Sequence, residues 1–166
     1  MTTYSTTTNN NNNTDQQARP PKLSSASAET LQDLVGRIES AQQLDHTARD
    51  VTLQTELAEL VSRRAGRRAR FAADLRAMLR HAGEREPPPA QEGALSRLHR
   101  DWTAFAHFID GDKPTALLVE LRRRDEALLD AYQDAIRTVD EPLAARVLWA
   151  QRRELVAERD DLGQLA

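Results

Sequence analysis

Apolar residues recur every three or four positions over most of the chain, a spacing that predicts helices rather than strands. We predict a first helix over residues 27–50, with Ser27 as its N-cap, and a second helix over residues 52–80. Pro114 and Pro142 each suit the first turn of a further long helix. The pattern therefore predicts an all-α fold, and a four-helix bundle is the simplest architecture for it.

The connection between the second and third long helices is predicted to be long. The string His81-Ala82-Gly83 offers a C-terminal cap for the second helix, and Pro87-Pro88-Pro89 prevents that helix from resuming directly. An apolar spacing of three and four residues then predicts a short extra helix around Trp102. A four-helix bundle with one long crossover connection accommodates such a segment.

Polar residues interrupt the apolar stripe of each long helix near its middle. On one face of the second helix, the interruption contains Arg64 and either Arg67 or Arg68. If the stripes face the bundle interior, opposite charges there should pair, because an unpaired buried charge costs several kcal/mol. We predict an interior polar network of seven residues: Gln42, Asp45, Arg64, Arg67, Asp125, Gln151 and Glu158.

Composition bounds the other properties of the chain. Residues 1–26 contain a run from Asn9 to Asn13 and little apolar surface, which predicts a disordered low-complexity tail before a domain over residues 27–166. The absence of cysteine excludes disulfides, thiolate metal sites and cysteine nucleophiles. No apolar run is long enough to cross a bilayer or to act as a signal peptide, so we expect a cytoplasmic protein.

The arginine-rich string from Arg63 to Arg70 could form a surface for nucleic acid or anionic membrane. On a helix, however, these residues spread around most of the circumference, and Glu59 precedes Arg63 by a spacing that permits an ion pair. The net charge of −3 also argues against a dedicated nucleic-acid binder. We therefore expect a solvated, ion-paired helix, and Trp102 or Trp149 would mark a self-association surface if exposed.

Several short strings, in a fixed order along residues 31–165, carry a family resemblance. They are Leu31-Gln32-Asp33-Leu34, Arg63-Arg64-Ala65, Gly93-Ala94-Leu95 followed by His99-Arg100-Asp101-Trp102, and Ala131-Tyr132-Gln133-Asp134-Ala135. Together they resemble an uncharacterised bacterial family of small ferritin-like four-helix-bundle proteins. The resemblance implies a ferritin-like bundle but little about activity, because the family is a domain of unknown function.

The chain departs from the metal ligands that such a fold implies. Ferritin-like di-iron sites take a Glu from each of two helices and a Glu-x-x-His from each of the other two, and this sequence contains no Glu-x-x-His. Gln42 and Gln43 stand where the resemblance places first-helix glutamates, Arg67 near the second-helix glutamate and Arg159 near the fourth-helix histidine. We therefore expect no cofactor. The alternative is Fe or Mn held by three carboxylates: Asp45, Asp125 and Glu158.

No nucleophile-elbow string and no glycine-rich phosphate loop occurs, so the sequence gives no positive indication of an enzyme. We expect a non-enzymatic interaction or stress-associated accessory protein, with an unknown protein partner or a second copy of itself. The alternative function is metal binding or storage. The two differ at the bundle centre, where free carboxylates favour metal and carboxylates paired with arginine favour a structural core.

Overall fold

The computed structural model describes residues 22–88 and 114–164, and every regular element in these two ranges is an α-helix. The helices are α1 (Ser25–Val51), α2 (Thr55–His81), α3 (Pro114–Thr138) and α4 (Pro142–Gln164). The prediction of four long helices is confirmed, and within these two ranges the fold is all-α as predicted. The short helix predicted around Trp102 and most of the predicted tail lie outside the described residues. None of the described helices is long and apolar enough to span a membrane.

Helix α1 begins two residues before its predicted cap. The Ser24 hydroxyl accepts a hydrogen bond from the Ser27 backbone N–H at 3.2 Å, so Ser24 is the N-cap. Ser27 lies inside the helix, fully buried, and its hydroxyl donates to Asp140 Oδ1 at 2.6 Å. The prediction of Ser27 as the cap is wrong because this contact between distant parts of the chain takes up its side chain. Leu23 also packs against the core and α1 begins at Ser25. The bundle therefore includes part of residues 22–26, which were predicted to be the end of the tail.

Neighbouring helices in the bundle run antiparallel. Helix α1 packs against α2 and α3, and α4 packs against α3 and α2. Helices α2 and α3 lie on a diagonal and run parallel, because Leu57 early in α2 and Leu118 early in α3 belong to the same apolar cluster. The end of α2 and the beginning of α3 therefore lie at opposite ends of the bundle.

The core consists of two apolar clusters separated by buried polar residues. The larger cluster includes Phe71 of α2 and Tyr132 of α3, and the smaller one includes Leu44 of α1 and Leu162 of α4. On α2, α3 and α4 the change from one cluster to the other occurs at charged residues, and on α1 the charged residue Asp45 directly follows Leu44, where the smaller cluster begins. Five charged residues are buried between or beside the two clusters, and we call them the polar layer: Asp45, Arg64, Arg68, Asp125 and Glu158.

Candidate functional site

The polar layer draws on all four helices. Arg64 and Arg68 are four residues apart on α2, so both side chains leave the helix on one face. Asp45 comes from α1, Asp125 from α3 and Glu158 from α4. Each of these five residues is at most 4% exposed, so their charges must be compensated within the protein.

Arg64 connects α1 and α3 through its guanidinium group. Its Nη1 donates to Asp125 Oδ2 at 2.8 Å and its Nη2 to Asp125 Oδ1 at 2.7 Å, which is a bidentate pair. Its Nε donates to Asp45 Oδ1 at 3.3 Å. All of the donor nitrogens of Arg64 therefore face carboxylate oxygens.

Arg68 closes the arrangement from the next turn of α2. Its Nη2 donates to Asp125 Oδ1 at 2.6 Å, and its Nη1 contacts Asp45 Oδ2. Each aspartate thus contacts both arginines, and the four charges sum to zero. We call Asp45, Arg64, Arg68 and Asp125 the arginine–aspartate ring, which joins three of the four helices.

Glu158 completes the polar layer from α4 but is less well paired. Its Oε1 lies 3.2 Å from Nε of Arg67, whose side chain is 33% exposed. Neither carboxylate oxygen of Glu158 accepts a hydrogen bond from any group in the described ranges. Burial raises the pKa of Glu158, and the nearby charges of Arg68, Arg64 and Arg67 oppose that rise without cancelling it. The Glu158 carboxyl therefore takes up a proton more readily than an exposed glutamate does.

A second buried polar group lies next to the layer in the larger cluster. The Tyr132 hydroxyl donates to Gln151 Oε1 at 2.9 Å, and Gln151 Nε2 donates to the Phe71 carbonyl at 3.4 Å and to Asp74 Oδ2 at 3.3 Å. Burial is the largest cause raising the pKa of Tyr132, so the phenol stays neutral and can donate this hydrogen bond. Tyr132 was absent from the predicted network because it sits in an apolar line. The signal for it is that a buried Tyr hydroxyl needs a partner.

The predicted network of seven residues is only partly one group. Asp45, Arg64 and Asp125 meet in the ring. Arg68 takes the interior place for which Arg67 was chosen, while Arg67 lies at the edge beside Glu158 and 3.7 Å from Glu154. Gln42 is half-buried and outside the ring. Gln151 belongs to the Tyr132 group.

The arginine-rich string of α2 is divided between the interior and paired surface positions. Its described arginines each have a carboxylate within 4.0 Å. On the surface, Arg63 faces Glu59 at 3.9 Å and Arg70 faces Glu154 at 2.7 Å. The string therefore does not present a continuous basic face along α2.

The side chains of the layer do not fit a metal ion. The oxygens of Asp45 and Asp125 are engaged by two guanidinium groups, whose positive charge repels a cation at the same place. Within residues 22–88 and 114–164, no group of three or more His, Asp or Glu side chains is placed to hold a metal. The ring can join helices, but it offers no open coordination position for Fe or Mn.

Comparison with known proteins identifies a family but no characterised relative. Neither the curated proteins nor the solved structures contain a match to the chain. A family model described as "Domain of unknown function (DUF2383)" matches residues 26–138, which include all four ring residues and exclude α4 with Glu158. Because this match covers more than half of the sequence, the chain belongs to the DUF2383 family.

Proposed function

We propose that this protein is a non-enzymatic, ferritin-like bundle of the bacterial cytoplasm that acts as an interaction or stress-associated accessory protein. Guanidinium–carboxylate pairs hold its centre in place of a metal. The observation that carries the proposal is the arginine–aspartate ring, in which two buried arginines bind Asp125 at 2.6 to 2.8 Å. The carboxylates that a metal would need are thereby used for helix packing.

The arrangement of the helices supports the ferritin-like part of the proposal. Ferritin-like bundles have one long crossover between the second and third helices, which lets those helices run parallel. Here α2 and α3 are parallel and diagonal, and α2 ends at the end of the bundle opposite to the start of α3. Residues 82–113, which connect them, are numerous enough for such a crossover.

The burial of the ring supports a non-enzymatic role. Asp45 is fully buried, and Arg64, Arg68 and Asp125 are at most 3% exposed. A catalytic group has to come within hydrogen-bond distance of its substrate, directly or through one water. The charged side chains of this interior instead pair with one another. A role carried by the outer surface of the bundle is therefore favoured over chemistry at its centre.

One observation keeps metal binding as the second candidate. Both oxygens of Glu158 lack hydrogen bonds within the described part of the chain, and carboxylate oxygens are the ligands that Mn and Fe accept. Asp125 is the other residue to test, because it accepts hydrogen bonds at 2.6 to 2.8 Å from both ring arginines. Metal could bind only if these carboxylates left their guanidinium partners.

Anaerobic reconstitution with Fe(II) and Mn(II), followed by elemental analysis, tests the two candidates. The proposal predicts bound metal near zero per chain for the wild type, and also for Asp125→Asn and Glu158→Gln. A stoichiometry near one or two per chain in the wild type, lost in either variant, would establish the metal-binding alternative. Metal retained in both variants would place the ion outside the polar layer and would still contradict a metal-free protein.

A further inference from the structure

We infer that the outer face of α4 binds a second copy of this chain, with the two α4 helices antiparallel. The inference rests on exposed side chains at the surface. It therefore does not depend on whether the interior polar layer binds a metal.

The exposed residues of α4 recur mostly at spacings of three and four, so they lie along one side of the helix. The inward side buries Leu148 and Leu155, while the outward side carries Leu143 at 46% exposure and Trp149 at 47%. Between Leu143 and Asp161 the exposed positions are Leu143, Arg146, Trp149, Ala150, Arg153, Ala157, Asp160 and Asp161. We call these eight residues the α4 outer face. They form a continuous stripe along the length of the helix.

Trp149 is the anchor of this face. The guanidinium carbon of Arg152 lies 5.8 Å from the centre of the indole ring, a cation–π distance that orders the side chain before any partner arrives. A pre-ordered aromatic side chain loses little entropy on binding, and Trp is enriched among the residues that dominate interface energies. Ala150, the next residue, and Ala157, about two turns further along, are small enough to let another helix approach closely.

The charges of the α4 outer face select a second copy in one orientation. Arg146 and Arg153 lie in its first two thirds, and Asp160 and Asp161 lie in its last third. Within the described residues, Arg146, Arg153 and Asp161 form no ion pair, and Asp160 pairs only with its neighbour Arg159 at 2.9 Å. An antiparallel second α4 places Arg146 of each helix near the acidic last third of the other, whereas a parallel one places like charges together.

The chain that leaves α2 starts on another side of the bundle. Gln32 of α1 donates to the Arg85 carbonyl at 2.8 Å, and Arg76 of α2 donates to the Pro87 carbonyl at 2.8 Å. Residues 84–88 therefore lie against α1 and α2. No contact of this segment covers the α4 outer face.

The size of the face predicts weak and reversible pairing. A helix of 23 residues is roughly 35 Å long and about 10 Å wide. Its outer face therefore offers less than the ~800 Å² per partner that is usual for tight complexes. We expect monomers at micromolar concentration and dimers as the concentration approaches the millimolar range.

Sedimentation equilibrium of the full chain from about 1 μM to about 1 mM tests the inference. The wild type should shift from monomer to dimer, and Trp149→Glu should weaken the dimer at least about tenfold. Val119→Glu is the matched control, because Val119 is a 61% exposed apolar residue on α3 and should leave the dimer unchanged. A wild type that stays monomeric throughout, or a dimer that Trp149→Glu leaves intact, overturns the inference.

A charge exchange tests whether the charged residues of the α4 outer face hold the two copies together. Reversing the basic part (Arg146→Glu with Arg153→Glu) makes the whole face acidic, and reversing the acidic part (Asp160→Arg with Asp161→Arg) makes it basic. Each variant alone should be monomeric, and an equimolar mixture should form a heterodimer that weakens with added salt. A mixture that remains monomeric overturns the inference. The absence of a dimer would not contradict the proposed metal-free interior, and the detection of bound metal would not contradict the proposed dimer.

Discussion

Among residues 22–88 and 114–164, Arg64 and Arg68 are the two largest side chains that are buried almost completely. A buried ion pair adds little net stability, because desolvation offsets most of the attraction, but the loss of one partner leaves an expensive charge. The ring therefore matters through its geometry. Arg64 reaches Asp45 and Asp125 together only when three helices are correctly aligned along their axes. We expect the ring to fix the register of helices whose leucine-rich stripes would otherwise pack in several ways.

The Glu158 carboxylate makes a pH-dependent prediction. Its pKa is raised by burial, so the folded state holds its proton to higher pH than the unfolded state. Its contribution to stability is therefore complete at low pH and is lost as the pH rises through the folded pKa. Glu158→Gln, which cannot ionise, should match the wild type near pH 4 and be more stable than it near pH 7.

Urea unfolding of wild type and Glu158→Gln between about pH 4 and about pH 8 measures this difference. Comparing the two proteins at each pH removes the contribution of every other titrating group. If Glu158→Gln is less stable than the wild type near pH 7, the contact with Arg67 outweighs the cost of burial, and the assignment of Glu158 as the poorly paired member of the layer is wrong.

Part of the polar layer was predictable from single residues and part was not. Asp45, Asp125 and Glu158 stand out because each interrupts an apolar line. The choice between Arg67 and Arg68 could not be made from the sequence. Viewed along the helix axis, Arg67 lies about 60° to one side of Arg64 and Arg68 about 40° to the other side, so both are close to the same face. Only the positions of α1 and α3 decide which of them is enclosed.

At the scale of the element, the C-terminal end of α2 is closed by a glycine cap. Gly83, at φ 76°, follows α2 in the left-handed conformation, and two hydrogen bonds close the turn. The Gly83 N–H donates to the Arg80 carbonyl at 3.0 Å, and the Glu84 N–H donates to the Leu79 carbonyl at 2.9 Å. This is the Schellman arrangement, so the cap predicted from His81-Ala82-Gly83 is confirmed.

Two glycines, one inside α2 and one just after it, should respond to alanine in opposite directions. Gly83→Ala should cost about 1–2 kcal/mol, because a side chain disfavours positive φ although nothing obstructs its Cβ. Gly66→Ala should stabilise the protein by about 0.5–1 kcal/mol, because Gly66 is exposed inside α2 and alanine favours the helix. Chemical denaturation of both variants measures the effects. Equal changes in the same direction would contradict the conformations assigned to these positions.

The starts of the helices show how well the local sequence predicts where a helix begins. Pro114 and Pro142 begin α3 and α4 as predicted, because proline prefers the first helical turn. The start of α1 was misplaced because Ser24 and Ser27 are both suitable caps, and only the contact of Ser27 with Asp140 distinguishes them. Helix α2 starts at Thr55 rather than at the predicted residue 52. No side chain forms a capping hydrogen bond at this start, so the local sequence does not fix it.

On the scale of the whole molecule, two apolar clusters hold the bundle together and the polar layer separates them. The sequence predicted four helices with polar centres, since both follow from periodicity. It could not predict which helices touch, because an amphipathic stripe identifies the buried side of a helix but not its neighbour. Membership of the DUF2383 family adds no activity to this description. The function proposed for the protein therefore rests on the contents of its interior.

The most direct measurement of the central claim compares Asp125→Ala with the double variant Asp125→Leu and Arg64→Met by chemical denaturation. The single change leaves two buried arginines with one aspartate and should cost on the order of 3 kcal/mol. The double change leaves Arg68 paired with Asp45 and should cost less than about 1 kcal/mol. A cost below about 0.5 kcal/mol for Asp125→Ala, or a double variant less stable than the single one, would contradict a closed arginine–aspartate ring.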